Sequence, residues 1–530
     1  MKIHQRYKRF IPKVVGITAA VIVAFGAILL QIPSTKAASL HKKYQFIDTN
    51  YSIPSSNVAW VAPNGNDATG NGSENSPYKT FGKAVTAVPS GGTVVAKSGI
   101  YREPHFFVSK NNITLQAAPH AEVWLKGSDI VTNWTSNNGV WKTTGNYHNF
   151  CHVCTTNSDP GKEGVAAYPE QVFINDEPMQ QVATKAEVTP GSNTFYVEDK
   201  TPTTLKVPGD NSKGYNIGAQ DNITYYIGKN PAASQVEISE RTRAFTATGQ
   251  NFTARGINVA QYASVQAWGF ADPVYGKDIS GPTAVSLNGN NSLAQNMIIT
   301  QNSNQGLFFN QVKASANGVK VIDNGGSGAG ANKAHDSIFE NSELHGNNAA
   351  GFITSGCGAY CTMADIKVAH TKSFIFRNNI LDNSNSGKVQ SAPTNADNVG
   401  TINFWCDEGC IDTKIVNNFF TNSSLAIMYE VSGSAVIASN IIESSGTGIR
   451  VSGSENVKLY NNTISRTYRP VYLFEDWRMN GCNAWNAAGV CTATEKWSAS
   501  QGLSWNTSGV EMYNNIISSR PLADSNDLAG

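Results

Sequence analysis

Three short phrases place a lysine and two carboxylates where stacked strands would bring them together: ADIKVAH, NFWCDEGC and IMYEVSG, carrying Lys367, Asp407 and Glu430. Each phrase precedes an Asn in an apolar setting. Counted back from Asn379, Asn418 and Asn440, the three residues stand at −12, −11 and −10. A slip of one residue reverses the face a strand residue points to. The loop between Cys406 and Cys410 leaves room for such a slip, so the three are expected in one column. Parallel strands stack about 4.8 Å apart. Two carboxylates at that spacing repel by roughly 3–4 kcal/mol at an effective dielectric near 20. A bound cation, Lys367 or a proton shared by Asp407 and Glu430 must offset that repulsion.

Two chemistries use such a set. In the first, a base removes the proton α to a uronate carboxylate while a hard cation or an arginine neutralises the carboxylate. Lys367 is then the base or a substrate clamp, and Asp407, Glu408 and Glu430 are the tentative calcium ligands. Carboxylates beside Lys367 favour its protonated form, which is wrong for a base, and only a bound cation reverses that. In the second, two carboxyls hydrolyse a glycosidic bond. One is the acid and the other the base or nucleophile, and adjacent strands suit the retaining separation of about 5–5.5 Å. Arg450, one coil on in TGIRVSG, could clamp a substrate carboxylate in bidentate fashion. His335 and His370 are titratable groups near the same coils and candidate substrate-binding residues. Trp405 and Tyr429, with Tyr468, Tyr472 and Trp477, could form a sugar-stacking wall, although aromatics in β coils more often pack inside. The bland alternative is a Lys-Asp-Glu salt bridge on a solvated face.

The elements that must position these residues follow from a repeat. Asn418, Asn440 and Asn462 stand 22 residues apart, and similar phrases surround Asn296, Asn341, Asn379 and Asn515. Short β-branched runs broken by Gly, Asn and Ser at a period just above 20 residues mark a stacked β solenoid. The expected fold is all-β, a right-handed parallel β-helix, with the Asn side chains forming a ladder from coil to coil. The spacings of 38 from Asn341 to Asn379 and 39 from Asn379 to Asn418 imply loops inserted into coils. Thr80 to Val88 reads as a short amphipathic helix between Pro77 and Pro89, a plug for the open end of the solenoid, with SGGTVVAKSGIYRE as a first strand. GGSGAGANKAH lacks the ending of a phosphate loop and is expected to be a flexible loop beside the cleft.

The segment 58–128 and the excursion QVFINDEPMQQVATKAEVTPGSNTFYVEDKTPTTLKV resemble the N-terminal cap and pre-helix excursion of bacterial right-handed parallel β-helix proteins of the pectin lyase-like superfamily. Together with the Asn coils the resemblance covers most of residues 58–520. It implies a carbohydrate-active solenoid, and it is specific about architecture and weak about reaction. No run of Asp ligands, no Arg-x-Pro-x-x-Arg phrase and no paired Asp-Asp phrase occurs in a matching coil, so the substrate stays unnamed. The expected parts are a signal peptide or anchor (1–38), the cap and first coils (58–129), a β-rich insertion (130–245), the helix proper (246–520) and a tail (521–530).

Composition bounds the partners. The 530-residue chain has a net charge of +1, which points to neither nucleic acid nor an anionic membrane surface. Its basic, then apolar, then small-residue start predicts export, with cleavage or anchoring both open. Eight cysteines fall into four close pairs. These are Cys151 with Cys154, Cys357 with Cys361, Cys406 with Cys410, and Cys482 with Cys491, read as disulfides rather than zinc ligands. The expectation is a secreted or cell-surface monomer acting on an extracellular polysaccharide, a polysaccharide lyase ahead of a glycoside hydrolase. A non-catalytic glycan-binding solenoid is the rival.

Overall fold

The computed structural model describes residues 40, 43–148, 150, 169–199, 206–207, 210–214, 220–264, 270–272, 277–279, 283–350, 363–383 and 402–519. Three parallel sheets run through it. A twelve-stranded sheet extends from Val58–Val61 to Glu511–Tyr513, a ten-stranded sheet from Phe106–Val108 to Arg469–Phe474, and an eleven-stranded sheet from Gly99–Tyr101 to Ile516–Ser519. Each coil gives one strand to each sheet, and the 22-residue period appears as register: Ile427 pairs with Ile449, Ile437 with Leu459, and Ile442 with Ile464. The fold is a right-handed parallel β-helix.

A coil this short has no core of its own, so alternate residues of all three sheets point inward and coils share one interior. Phe309, Phe339, Phe376 and Phe404 follow one another inside the coils at centroid distances of 6.2, 5.6 and 4.9 Å, the first pair edge-on and the others tilted. Inside the turns, Asn379, Asn418, Asn440, Asn462 and Asn515 form the expected ladder, each Nδ2 donating to the next Oδ1 at 3.0–3.1 Å. Asn296 and Asn341 do not belong to it. Asn296 bonds the Tyr51 hydroxyl, and Asn341 joins an outer row with Asn317 and Asn378. Ser342, one residue on, takes the inner position, and its backbone N–H donates to Asn379. One residue of slip decides which side of the turn an Asn faces.

Helix α1 (Phe81–Ala87) lies at the N-terminal end, with Thr80 accepting the Lys83 amide as N-cap and Phe81, Ala84 and Val85 buried. Between Val123–Lys126 and Phe245–Ala247 the chain leaves the solenoid for two mainly antiparallel sheets, which share a core of Val172, Phe195, Tyr225 and Ile238, and a two-stranded antiparallel pair (Lys206–Val207 with Asp210–Gly214). Fully buried Lys126 ties this excursion to the solenoid through Asp176 and Glu237.

Of the four expected disulfides, two are formed, Cys406–Cys410 and Cys482–Cys491. The expected bridge between Cys151 and Cys154 lies outside the described residues, and so does the one between Cys357 and Cys361. The structure therefore supports half of the disulfide framework read from the sequence. The export segment and the tail also lie outside the described residues. Among the described residues no helix is long and apolar enough to cross a membrane.

Candidate active site

Five consecutive strands of the ten-stranded sheet carry the candidates: β1 (Ala364–Ala369), β2 (Ile402–Asp407), β3 (Leu425–Glu430), β4 (Thr447–Ser452) and β5 (Arg469–Phe474). Strand alternation sorts their side chains. Ile366, Phe404, Ile427 and Ile449 fill the interior, as do Val368, Cys406, Tyr429 and Val451. The residues between them face outward.

The register corrects the expected column. Lys367 pairs with Trp405, and that row continues through Met428, Arg450 and Tyr472. Asp407 pairs instead with Ala369, and Glu430 with Ser452. Lys367 is thus two residues out of the carboxylate row, a slip that keeps the same face. Its ammonium reaches diagonally to Asp407 Oδ2 at 2.7 Å and lies 3.8 Å from the centre of the Trp405 ring. Trp405 Nε1 donates to Glu430 Oε2 at 3.1 Å.

Tyr429 is the clear misplacement. It is fully buried inside the coil, its hydroxyl 3.0 Å from the carbonyl oxygens of Cys410 and Ser434, because β3 alternation turns it away from Glu430. It cannot touch a substrate on the outer face. Arg450 is on the outer face but buried, its guanidinium 4.9 Å from the Phe474 ring centre. His370 Nε2 lies 3.5 Å from Glu408 and 3.3 Å from Glu495, and His335 stacks on Trp497 at 4.9 Å. Trp477 (63%) and Tyr468 (46%) are exposed, which leaves their rings open to a ligand. The Gly-rich stretch is not a loop at its centre. Ala329–Asn332 is a strand of this sheet, and a Cβ on Gly330 would come within 2.9 Å of the Phe308 ring.

Two residues escaped the repeat-based reading. Arg478 bonds Glu430 Oε1 at 2.8 Å, lies 3.9 Å from Asp407 Oδ1 and clasps Asp476 with two nitrogens at 2.9 Å each. Both sit in the long insertion between Asn462 and Asn515, where no coil register applies. The one available signal was the charged phrase EDWRMN immediately after β5.

The electrostatics separate the carboxyls. Burial pushes the Glu430 carboxyl up to about 7, helped by the charge of Asp407 and only partly opposed by Arg478 and Arg450. Burial would raise Asp476 too, but hydrogen bonds from the Arg478 side chain and backbone outweigh it and hold that carboxyl below its usual range. The three carboxylates expected to bind calcium each face other partners. Asp407 and Glu430 are turned onto Lys367 and Arg478, while Glu408 bonds Asn483 at 2.7 Å and faces His370. Among the described residues no group of three His, Cys, Asp or Glu side chains is arranged to hold a metal ion.

Comparison with known proteins supports the architecture. A family profile described as "right handed beta helix region" matches residues 400–521. The structure of XylC in complex with xylose is similar at a TM-score of 0.62 and 16% identity, over 88% of this chain and 76% of that one. A glycoside hydrolase (TM-score 0.47, 11% identity, 90% of this chain and 99% of that one) and the pectate lyase Pel9A (0.39, 12%, 81% and 80%) are also similar. No curated protein matches the sequence. The chain therefore has the fold of a right-handed parallel β-helix, and its chemistry has to be read from its own site.

Proposed function

We propose that the chain is a glycoside hydrolase of the retaining type, with Glu430 as general acid and base and Asp407 as nucleophile. The observation that carries this reading is the placement of two carboxyls on neighbouring strands in unlike surroundings. Glu430 holds its proton up to about pH 7, while Asp407 is ion-paired with Lys367 at 2.7 Å. In the first step Asp407 attacks the anomeric carbon, the glycosidic C–O bond breaks, and Glu430 gives its proton to the leaving oxygen. The product is a glycosyl ester on Asp407. Esterification removes the charge that helped to keep Glu430 protonated, so its pKa falls and it is available as the carboxylate that the second step needs as a base. It then takes a proton from water, the water oxygen attacks the anomeric carbon, and the Asp407 carboxylate leaves.

The lyase reading asks Lys367 to accept a proton. An ammonium held by Asp407 and spread over the Trp405 ring is placed to donate instead. Lys367 then orients Asp407 and can donate to a sugar hydroxyl. Export and an extracellular glycan substrate remain part of the proposal, supported by the N-terminal segment and by the two disulfides.

A panel of aryl glycosides, xylosides and uronides among them, tests the reading. Aryl release by the wild type, lost in Asp407→Asn and, for poor leaving groups, in Glu430→Gln, is the expected result. Unsaturated uronate absorbance would restore the lyase reading. Absence of any product alongside glycan binding would make the protein a non-catalytic solenoid.

A further inference from the structure

The segment between β5 and the last coil does more than contribute Arg478. It leaves β5 after Phe474, presents Asp476 and Arg478 to the carboxyl pair, and is closed on itself by Cys482–Cys491. It then comes down on the turn that follows β2. Asn483 donates to Glu408 at 2.7 Å, and Trp497 Nε1 donates to the Gly409 carbonyl at 2.7 Å. Gly409 has φ +93°, and a Cβ there would lie 2.5 Å from Ser498 Oγ and 2.6 Å from Trp497 Cδ1, so this approach requires glycine. Helix α2 (Lys496–Ser500) begins at Glu495, whose carboxylate accepts from the Trp497 and Ser498 amides while facing His370 at 3.3 Å.

The return leg is fixed a second time. Leu503 and fully buried Trp505 pack against Val431, the residue after Glu430. Val431 has φ +39°, a left-handed conformation that β-branched residues avoid. Such strain persists only where surrounding contacts over-determine it. Both ends of the segment are thus fastened next to a catalytic carboxyl.

We infer that residues 475–505 form a positioning strap for the carboxyl pair, and that His370, which faces Glu408 and Glu495, is the positioning residue that latches it. The latch is charged by design. Burial opposes protonation of His370, but Glu408 and Glu495 outweigh it and lift the imidazole to about 9. Burial would raise Glu495 in turn, but His370 and the helix amides draw it down to about 2. A long arginine on a free loop would sample many rotamers, and fastening the loop fixes the guanidinium before substrate arrives. The catalytic part of this inference rests on the hydrolase reading.

The test compares His370→Gln, Arg478→Gln and the double variant by kcat and KM on an aryl glycoside, and by hydrogen exchange across the folded protein. His370→Gln is expected to lower kcat by roughly ten- to a hundredfold with little change in KM. The double variant should be no worse than Arg478→Gln alone, because both act through one guanidinium. Arg478→Lys should recover part of the loss. Exchange within 475–505 should quicken in His370→Gln while the Asn418–Asn462 coils stay protected. Additive losses, a change in KM alone, or unaltered exchange in 475–505 would overturn the strap. A wild type that cleaves no glycoside would refute the hydrolase reading while the exchange data still decide the strap.

Discussion

Asp365 and Glu430 are both buried carboxyls in the same stretch of coils, and burial pushes both to about 7, yet their surroundings differ. Asp365 accepts from three neutral amides, Asn347 at 2.9 Å, Asn383 at 3.0 Å and Asn403 at 2.7 Å. It continues a second inner ladder that descends from Asn302 through Asn324. Glu430 instead stands beside another carboxylate on the outer face, held by one arginine and one indole. A raised pKa alone therefore does not mark chemistry. The mark is a second carboxyl kept close at an electrostatic cost that the fold could have avoided.

The largest break in the symmetry between the two is expected in activity. Glu430→Gln should lower kcat/KM by roughly 10²–10⁴-fold on glycosides with poor leaving groups. Its thermal stability above about pH 7 should not fall, since a buried charge is removed. Asp365→Asn should do the reverse. Its new amide nitrogen faces amide donors, so unfolding free energy should drop by about 1–3 kcal/mol, with kcat changed little; denaturant titration and steady-state kinetics read the two sides.

The pH dependence sharpens the same contrast. Both carboxyls have folded-state pKa values raised above their unfolded ones, so their stabilising protonation is fully present below the unfolded values and lost as pH rises through about 7. Wild-type Tm should decline across that window, and each single variant should remove part of the decline. Only Glu430 should also shape activity, with kcat/KM falling on the alkaline side of about 7. The smallest effect is expected from Trp405→Phe, which deletes one hydrogen bond to Glu430. It should cost roughly 0.5–1.5 kcal/mol in transition-state stabilisation, about two- to tenfold in kcat/KM.

Much of the architecture was legible because a solenoid writes its register into the sequence. The 22-residue spacing of Asn418, Asn440 and Asn462 is the coil length itself, and Thr80 with its flanking prolines bounds the capping helix. The candidate site was legible as far as that periodicity reaches. Asp407, Glu430, Lys367 and Trp405 lie on one outer face, Lys367 and Trp405 in one row and the two carboxyls in the row two residues on, whereas Tyr429, between Met428 and Glu430, alternates inward. Arg478 and Asp476 were illegible for a physical reason. They belong to a loop whose position is set by distant contacts, Glu495 to His370 and Trp505 to Val431, and not by any local repeat.

The most direct test of the account is to trap the glycosyl ester. The wild type would be inactivated with an activated 2-deoxy-2-fluoro glycoside of a sugar it hydrolyses, digested, and the labelled peptide sequenced by mass spectrometry. The account predicts one sugar on the Asp407 carboxylate, with label accumulating in Glu430→Gln only when the leaving group is good. Label on another residue, or turnover that inverts the anomeric centre and leaves no label, would contradict it.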